Sequence, residues 1–261
     1  MHPISPAALA LLALVGLASG FVNTVAGAGS LLSLRALMLL GALPGEANGT
    51  NRIPVVAQSA TAAWAFRKHA RVSSALVLTS LAPAAAGAVV GSLLSLVVPD
   101  RFMNGLLIVV LFAVAVLGLR KSKRGNKPAE ESEALDLARM KQPTSLIWLF
   151  FSGLYGGFLQ AGVGLLLLHA FSQVAGLSLV RSNALKVTVV LGFSLVAAGI
   201  FIANGQIIWA YALPLSLGSV VGAALAVRFA ISFGDKLKIA VVIVDFLACV
   251  VLLARELTTL F

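Results

Sequence analysis

Charge is what this sequence is short of. Of its 261 residues only 11% are Asp, Glu, Lys or Arg, where a soluble domain carries about a quarter. Acid is scarcer still, 9 Asp and Glu against 19 Lys and Arg, so carboxylate coordination of Na⁺ is a weak prospect. The single cysteine, Cys249, lies inside an apolar run, which excludes a disulfide framework and a thiol metal site. No HExxH zinc motif, Walker A sequence or GxSxG elbow is present. Three scattered histidines, His2, His69 and His169, offer no convergent ligand or nucleophile set. The chain is therefore not expected to be an enzyme, and it calls for no cofactor and no metal. Without an ATP site, any transport it performs must draw on an ion gradient or on the substrate's own gradient. Protons are the expected coupling ion.

What is abundant is hydrocarbon. Hydrophobic residues make up 60% of the chain and the mean hydropathy is +1.03. Runs such as LVLTSLAPAAAGAVVGSLLSLVV from Leu76 match the roughly 18–20 residues needed to cross a bilayer core. A membrane β-barrel alternates in character over about ten residues, and these runs do not. The first run, Ile4 to Val25, has no basic segment before it and reads as a mature helix rather than a cleavable signal.

Proline, glycine and charge divide the chain into apolar segments near 5–25, 30–43, 52–66, 75–98, 102–119, 144–160, 164–176, 185–203, 207–230 and 236–254. Between the fifth and sixth, RKSKRGNKPAEESEALDLARMKQP reads as a solvated linker with a short helix over AEESEALDLARM. It separates a first repeat (1–120) from a second (144–261), the linker itself being 121–143. Basic residues collect in alternate loops: Arg67, Lys68 and Arg71; the linker cations; then Arg181, Arg228, Lys236 and Lys238. Asp100, Arg101 and Arg255 are nearly all that is left for the other side. That is the positive-inside pattern, placing the linker in the cytoplasm and both termini in the periplasm. It accounts for the net charge of +10 without a nucleic-acid partner; membrane lipid is the expected surrounding.

The halves echo one another. AGAG (Ala26 to Gly29) matches AGVG (Ala161 to Gly164) at an offset of 135, which also places Asn48 on Asn183 and Asn51 on Lys186. PAAAGAVVG from Pro83 matches PLSLGSVVG from Pro214 at an offset of 131, and DRF from Asp100 is echoed by DKL from Asp235. With five segments each, an odd number, the second half must enter from the opposite side. The expected fold is an all-α integral membrane protein of two inverted-topology repeats. Each repeat has a glycine-broken helical hairpin plus three transmembrane helices, for 8–10 membrane segments in all.

The stretch GFVNTVAGAGSLLSLRALMLLGALPGEANGTNRI, with GLYGGFLQAGVGLLLL and RSNALKV in the second half, resembles the two signatures of the TauE/SafE family of sulfite and organosulfur exporters. The resemblance covers nearly the entire chain except the linker. It implies a secondary transporter of the bacterial inner membrane that exports small sulfur-containing anions such as sulfite, sulfoacetate or related sulfonates. Where members often have proline in the short helix after the glycine turn, this chain has Arg35, which either adds to an anion site or snorkels to an interface. A homodimer is compatible with the family. The rivals are a transporter of another small oxyanion or carboxylate, in either direction, and a membrane accessory protein that transports nothing.

The candidate substrate site gathers Asn23, Gly27, Gly29, Asn48, Thr50, Asn51 and Arg52 from the first half, with Gln160, Gly162, Gly164, Asn183 and Lys186 from the second. An intramembrane cation costs roughly 2.5–3.5 kcal/mol on insertion scales, so it usually has a partner or a task. If Arg52 and Lys186 lie at helix starts, backbone N–H groups and the positive dipole end face the same anion, with the amides and hydroxyls as neutral donors. The competing reading puts both cations at the water interface with the asparagines as helix caps. Asp245, deep in the last apolar run, either exchanges a coupling proton or pairs with an intramembrane cation. His169 titrates or packs. Glu46 carries a proton or is a solvated loop acid. Arg52→Ala is expected to abolish transport while leaving folding near normal.

Overall fold

The computed structural model describes residues 5–70, 72–99, 102 and 133–232, and every structural statement below concerns those residues. They form helices and no strand. In chain order these are α1 (Pro6–Val25), α2 (Ser30–Leu39), α3 (Pro44–Phe66), α4 (Ser74–Val97), α5 (Glu133–Met140), α6 (Pro143–Phe158), α7 (Val163–His169), α8 (Leu179–Ala203) and α9 (Trp209–Ser232). A π-helical turn, Ala170–Val174, extends α7. Apart from Phe102, the expected segment 102–119 lies outside the described residues, as does 236–254 with Asp245.

Helices α1, α4, α8 and α9 contain stretches long and apolar enough to cross a membrane. Helix α2 does not: its 10 residues reach about 15 Å at 1.5 Å per residue, half of a ~30 Å hydrocarbon core. It folds back from α1 through Gly27, whose φ of +91° is open to glycine at little steric cost. In the second half α6 and α7 are joined by a turn in which Gln160 (φ +64°) and Gly162 (φ +76°) are both left-handed.

Helix ends follow from local chemistry. Ser5 accepts a hydrogen bond from the Ala8 amide at 3.2 Å and Ser73 from that of Leu76 at 3.3 Å, satisfying amides that have no partner inside the helix. Helix α3 begins with Pro44 in its first turn, and the Glu46 carboxylate accepts from the Leu43 amide at 3.0 Å. Two expectations are corrected here. The polar stretch Pro44 to Asn51 is helix rather than loop, and Glu46 is a capping residue rather than a loop acid. Likewise Arg181 and Arg228 lie within α8 and α9, not in connecting loops.

The short helix expected in the linker is α5. It is not a free tether: Met140 is buried in the cluster that includes Leu76, Leu149 and Phe171. Asp136, 3% exposed, pairs with Arg181 of α8 at 2.6 Å.

Two glycine seams hold the bundle. On α4 and α6, a Cβ at Gly87 or Gly91 would strike the carbonyls of Phe150 or Leu154, and one at Gly153 or Gly157 those of Ala84 or Ala88. On α1 and α9 the same is true of Gly16 and Gly20 against Leu215 and Ser219, and of Gly218 and Gly222 against Ala13 and Leu17. All four pairs are Gly-x-x-x-Gly, the spacing that lets helix backbones approach closely in a membrane. Each seam joins a helix from one side of the linker to a helix from the other.

Candidate functional site

The two glycine turns meet at the centre. The Gly164 amide donates to the Gly27 carbonyl at 3.2 Å, and a Cβ on either glycine would run into the backbone of the other. Around this contact lie the two buried cations.

Arg52 is 0% exposed. Its Nη1 donates to the Gly156 carbonyl at 2.5 Å and to Gln160 Oε1 at 2.6 Å; its Nη2 donates to the Gly157 carbonyl at 2.7 Å and to Asn48 Oδ1 at 2.9 Å. Asn48 Nδ2 adds a bond to the Phe158 carbonyl at 2.7 Å. These carbonyls are the last of α6, the end of a helix that carries orphan acceptors and partial negative charge. The guanidinium also lies 4.9 Å from the ring centroid of Phe201, close enough for a cation–π attraction. No carboxylate pairs with Arg52 among the described residues, and its Nε has no hydrogen-bond partner.

Lys186, 1% exposed, does the same for the first half. Its Nζ donates to the Thr24 carbonyl at 2.7 Å and the Asn23 carbonyl at 3.3 Å, both in the last turn of α1, and to Asn183 Oδ1 at 3.0 Å. Each cation thus comes from the third helix of one half and caps the first helix of the other, braced by an asparagine one turn earlier on its own helix.

The helix-start expectation is therefore corrected. Arg52 and Lys186 stand well inside α3 and α8, and the dipole ends they meet are the negative ends of α6 and α1. Both helices begin earlier than the apolar pattern suggests. The interface reading fails as well, since neither side chain is exposed.

A small cavity of about 20 Å³ adjoins this centre, room for about one water. Of the sequence-expected residues, Asn23, Gly27, Gln160, Gly164 and Lys186 line it. Asn48, Arg52 and Asn183 stand behind that lining and brace it, as the bonds above show. Asn51 Oδ1 accepts from Ser33 Oγ of α2 at 2.6 Å, and Thr50 Oγ1 accepts from the Ile208 amide just before α9 at 2.9 Å, so both are spent on the packing of α3. Gly29 is pressed against the Ser19 carbonyl at the α1–α2 bend, and Gly162 opens α7. Arg35 is half-buried on α2, and His169 is exposed with its ring 5.6 Å from that of Trp148; neither lines the cavity. Gln58 and Ser59 do line it, and sequence reasoning missed them. Their signal was two adjacent polar residues in the interior of α3, with Ser59 on the face that carries Arg52 seven residues before it.

A multi-pass helical bundle that buries cations and amides around an internal cavity has the build of a membrane transporter. The chain matches the family described as sulfite exporter TauE/SafE over residues 12–252, and it belongs to that family. It is 28% identical over 253 residues to the probable membrane transporter protein ORF9 of Sinorhizobium sp., covering 94% of this chain and 92% of the relative. It is 29% identical over 238 residues to the probable membrane transporter protein YfcA of Escherichia coli K12, covering 90% and 85%. A probable membrane transporter protein of Haemophilus influenzae is 25% identical over 240 residues, covering 92% of both. No solved structure matches the chain.

Proposed function

We propose that this transporter carries small sulfur-containing anions, sulfite, sulfoacetate or a related organosulfonate, out of the cell across the bacterial inner membrane, coupled to protons. The observation that carries the reading is Arg52, fully buried with its charge answered by carbonyls and amides rather than by an acid. Carbonyl dipoles stabilise the guanidinium but leave its net charge in place, and a low dielectric lets that charge act on an anion at longer range than water would. Lys186 stands at the cavity itself and is the cation that contacts the anion.

The two halves are inverted repeats, with the linker cytoplasmic and both termini periplasmic. Support comes from the crosswise exchange of caps and of Gly-x-x-x-Gly seams, each element of one half finding its counterpart's place in the other. Alternating access then has a physical route. The central cavity holds about one water, less than any sulfur oxyanion occupies, so loading requires the halves to rock apart about the Gly27–Gly164 contact.

The test is transport in proteoliposomes of labelled sulfite and sulfoacetate against phosphate and carboxylates, with imposed pH gradients. Efflux of a sulfur anion that responds to the pH gradient is expected. Transport of carboxylates or phosphate alone overturns the substrate class, and efflux indifferent to the gradient removes the proton.

A further inference from the structure

A second cavity, a groove of about 480 Å³, opens on the outside of the bundle where α3 and α9 end side by side. Its floor is apolar, with Ala65 from α3 and Ala224, Val227 and Ile231 from α9. Lys68, His69 and Arg228 stand around its end, all three exposed. Trp64 forms one wall, 57% exposed, with Lys68 Nζ 5.6 Å from its ring centroid. Among the described residues, no Asp or Glu lines the groove or pairs with these cations. Its two hydroxyls are spent on their own helices: Thr61 Oγ1 donates to the Ala57 carbonyl at 2.9 Å and Ser232 Oγ to the Arg228 carbonyl at 3.0 Å. Positive charge is therefore what the groove offers a ligand at its end, and hydrocarbon is what it offers along its floor.

We propose that this groove binds an anionic phospholipid, its phosphate held by Lys68 and Arg228 and an acyl chain laid along the apolar floor. The order of residues along the two helices sets this polarity. The cations stand at the helix ends, and Ala65 and Ala224 lie one turn further in, so the ligand is charged outermost and apolar toward the bilayer centre. A small transported anion has no use for that floor. Tryptophan favours the headgroup level of a membrane, and Trp64 sets the groove there. Leu217, Val221 and Leu225 of α9 are exposed at four-residue spacing, one face of the helix, so α9 meets acyl chains beside the groove. Val72, just past this end of α3, packs against the cluster that holds Met140 of α5, so the groove opens on the linker's side of the membrane. The positive-inside pattern accounts for the side on which these cations lie. It does not account for their convergence from two helices on one cleft, which is the form of a basic headgroup site between transmembrane helices. The planar fork of arginine pairs with two phosphate oxygens, and lysine adds a point charge.

The test reads tryptophan fluorescence of the full chain in phosphatidylcholine vesicles that hold a minor share of a lipid brominated on its acyl chains, either phosphatidylglycerol or phosphatidylcholine. Bromine quenches an indole it touches, and Trp64 walls the groove. Brominated phosphatidylglycerol should quench more than brominated phosphatidylcholine, with an enrichment at the groove of about ten- to thirtyfold from two cations. That excess should vanish in Trp64→Phe and in Lys68→Gln/Arg228→Gln, and fall about fivefold in Lys68→Gln alone. The linker variant Lys121→Gln/Lys123→Gln removes the same charge elsewhere and should keep the excess. Equal quenching by the two lipids in wild type overturns the site and leaves the groove to another stretch of this chain or to a second copy. An excess that survives in Trp64→Phe or in Lys68→Gln/Arg228→Gln places the lipid elsewhere and overturns it too. Equal loss in the linker variant reduces the effect to overall charge. Sodium phosphate, against sodium chloride of equal ionic strength, should leave the excess in place; if it abolishes the excess, the groove takes soluble phosphate and the lipid assignment falls.

Discussion

At the scale of single residues, the unusual feature is a pair of cations used as helix caps. A buried guanidinium is expensive, and Arg52 is tolerated because four acceptors converge on it, two of them carbonyls that α6 cannot satisfy internally. Cation and helix end each remove the other's deficit. This overturns the expectation that Arg52→Ala leaves folding near normal. Truncation leaves the carbonyls of Gly156 and Gly157, Gln160 Oε1 and Asn48 Oδ1 without their donor in a site with no room for bulk water. At about 1–3 kcal/mol for each buried group left unsatisfied, and with partial relaxation, a loss on the order of 3 kcal/mol is expected. Thermal melting in detergent measures it, and an unchanged midpoint would show that the caps carry no stability. Arg52→Lys keeps the charge but replaces the planar fork by a point donor, so it should melt between the two. Loss of transport in Arg52→Ala alone therefore says little about the substrate; the alanine variant is a folding variant first.

At the scale of elements, the apolar pattern located the long helices α1, α4, α8 and α9, and the glycine turns before α2 and α7 were visible as breaks. The start of α3 was not. Pro44 to Asn51 contains two glycines and two asparagines, a composition that by propensity favours a turn. Tertiary contacts override it, since Asn48 and Asn51 spend their side chains on other helices and Thr50 accepts from the Ile208 amide just before α9. The cap was nonetheless written in the sequence, with proline in the first turn and glutamate at the third position. The four Gly-x-x-x-Gly pairs were equally legible, but which helices they join was not, because spacing along one helix says nothing about its partner. The seams make a controlled prediction. Gly87→Ala forces a methyl into the Phe150 carbonyl and should destabilise by about 1–3 kcal/mol, the usual cost of overpacking. Gly199, inside α8, has open space where its Cβ would be, so Gly199→Ala should be neutral or stabilise by up to about 1 kcal/mol through helix propensity. Equal effects of the two substitutions on the melting curve would remove the seams as the reason for these glycines.

At the scale of the whole molecule, the halves are not two domains laid side by side. The end of α1 is capped by Lys186 from beyond the linker and the end of α6 by Arg52 from before it, while the seams pair α1 with α9 and α4 with α6. Take either half away and the other is left with a helix end lacking its cap, a cation lacking its carbonyls and a glycine face lacking its neighbour. Inside a bilayer no water is at hand to replace those partners. Neither half should therefore be stable alone, and the contacts that hold the halves together do not depend on an unbroken chain. Severing the chain between residues 121 and 132 tests both statements. Expressed singly, each fragment should be degraded or aggregate; expressed together, the fragments should co-purify and restore a cooperative melting transition, since every cross-half contact is non-covalent. Adding Arg52→Ala to the first fragment should weaken that co-purification, because it removes a contact made only between halves. A first fragment that accumulates folded in the membrane by itself would refute the mutual capping.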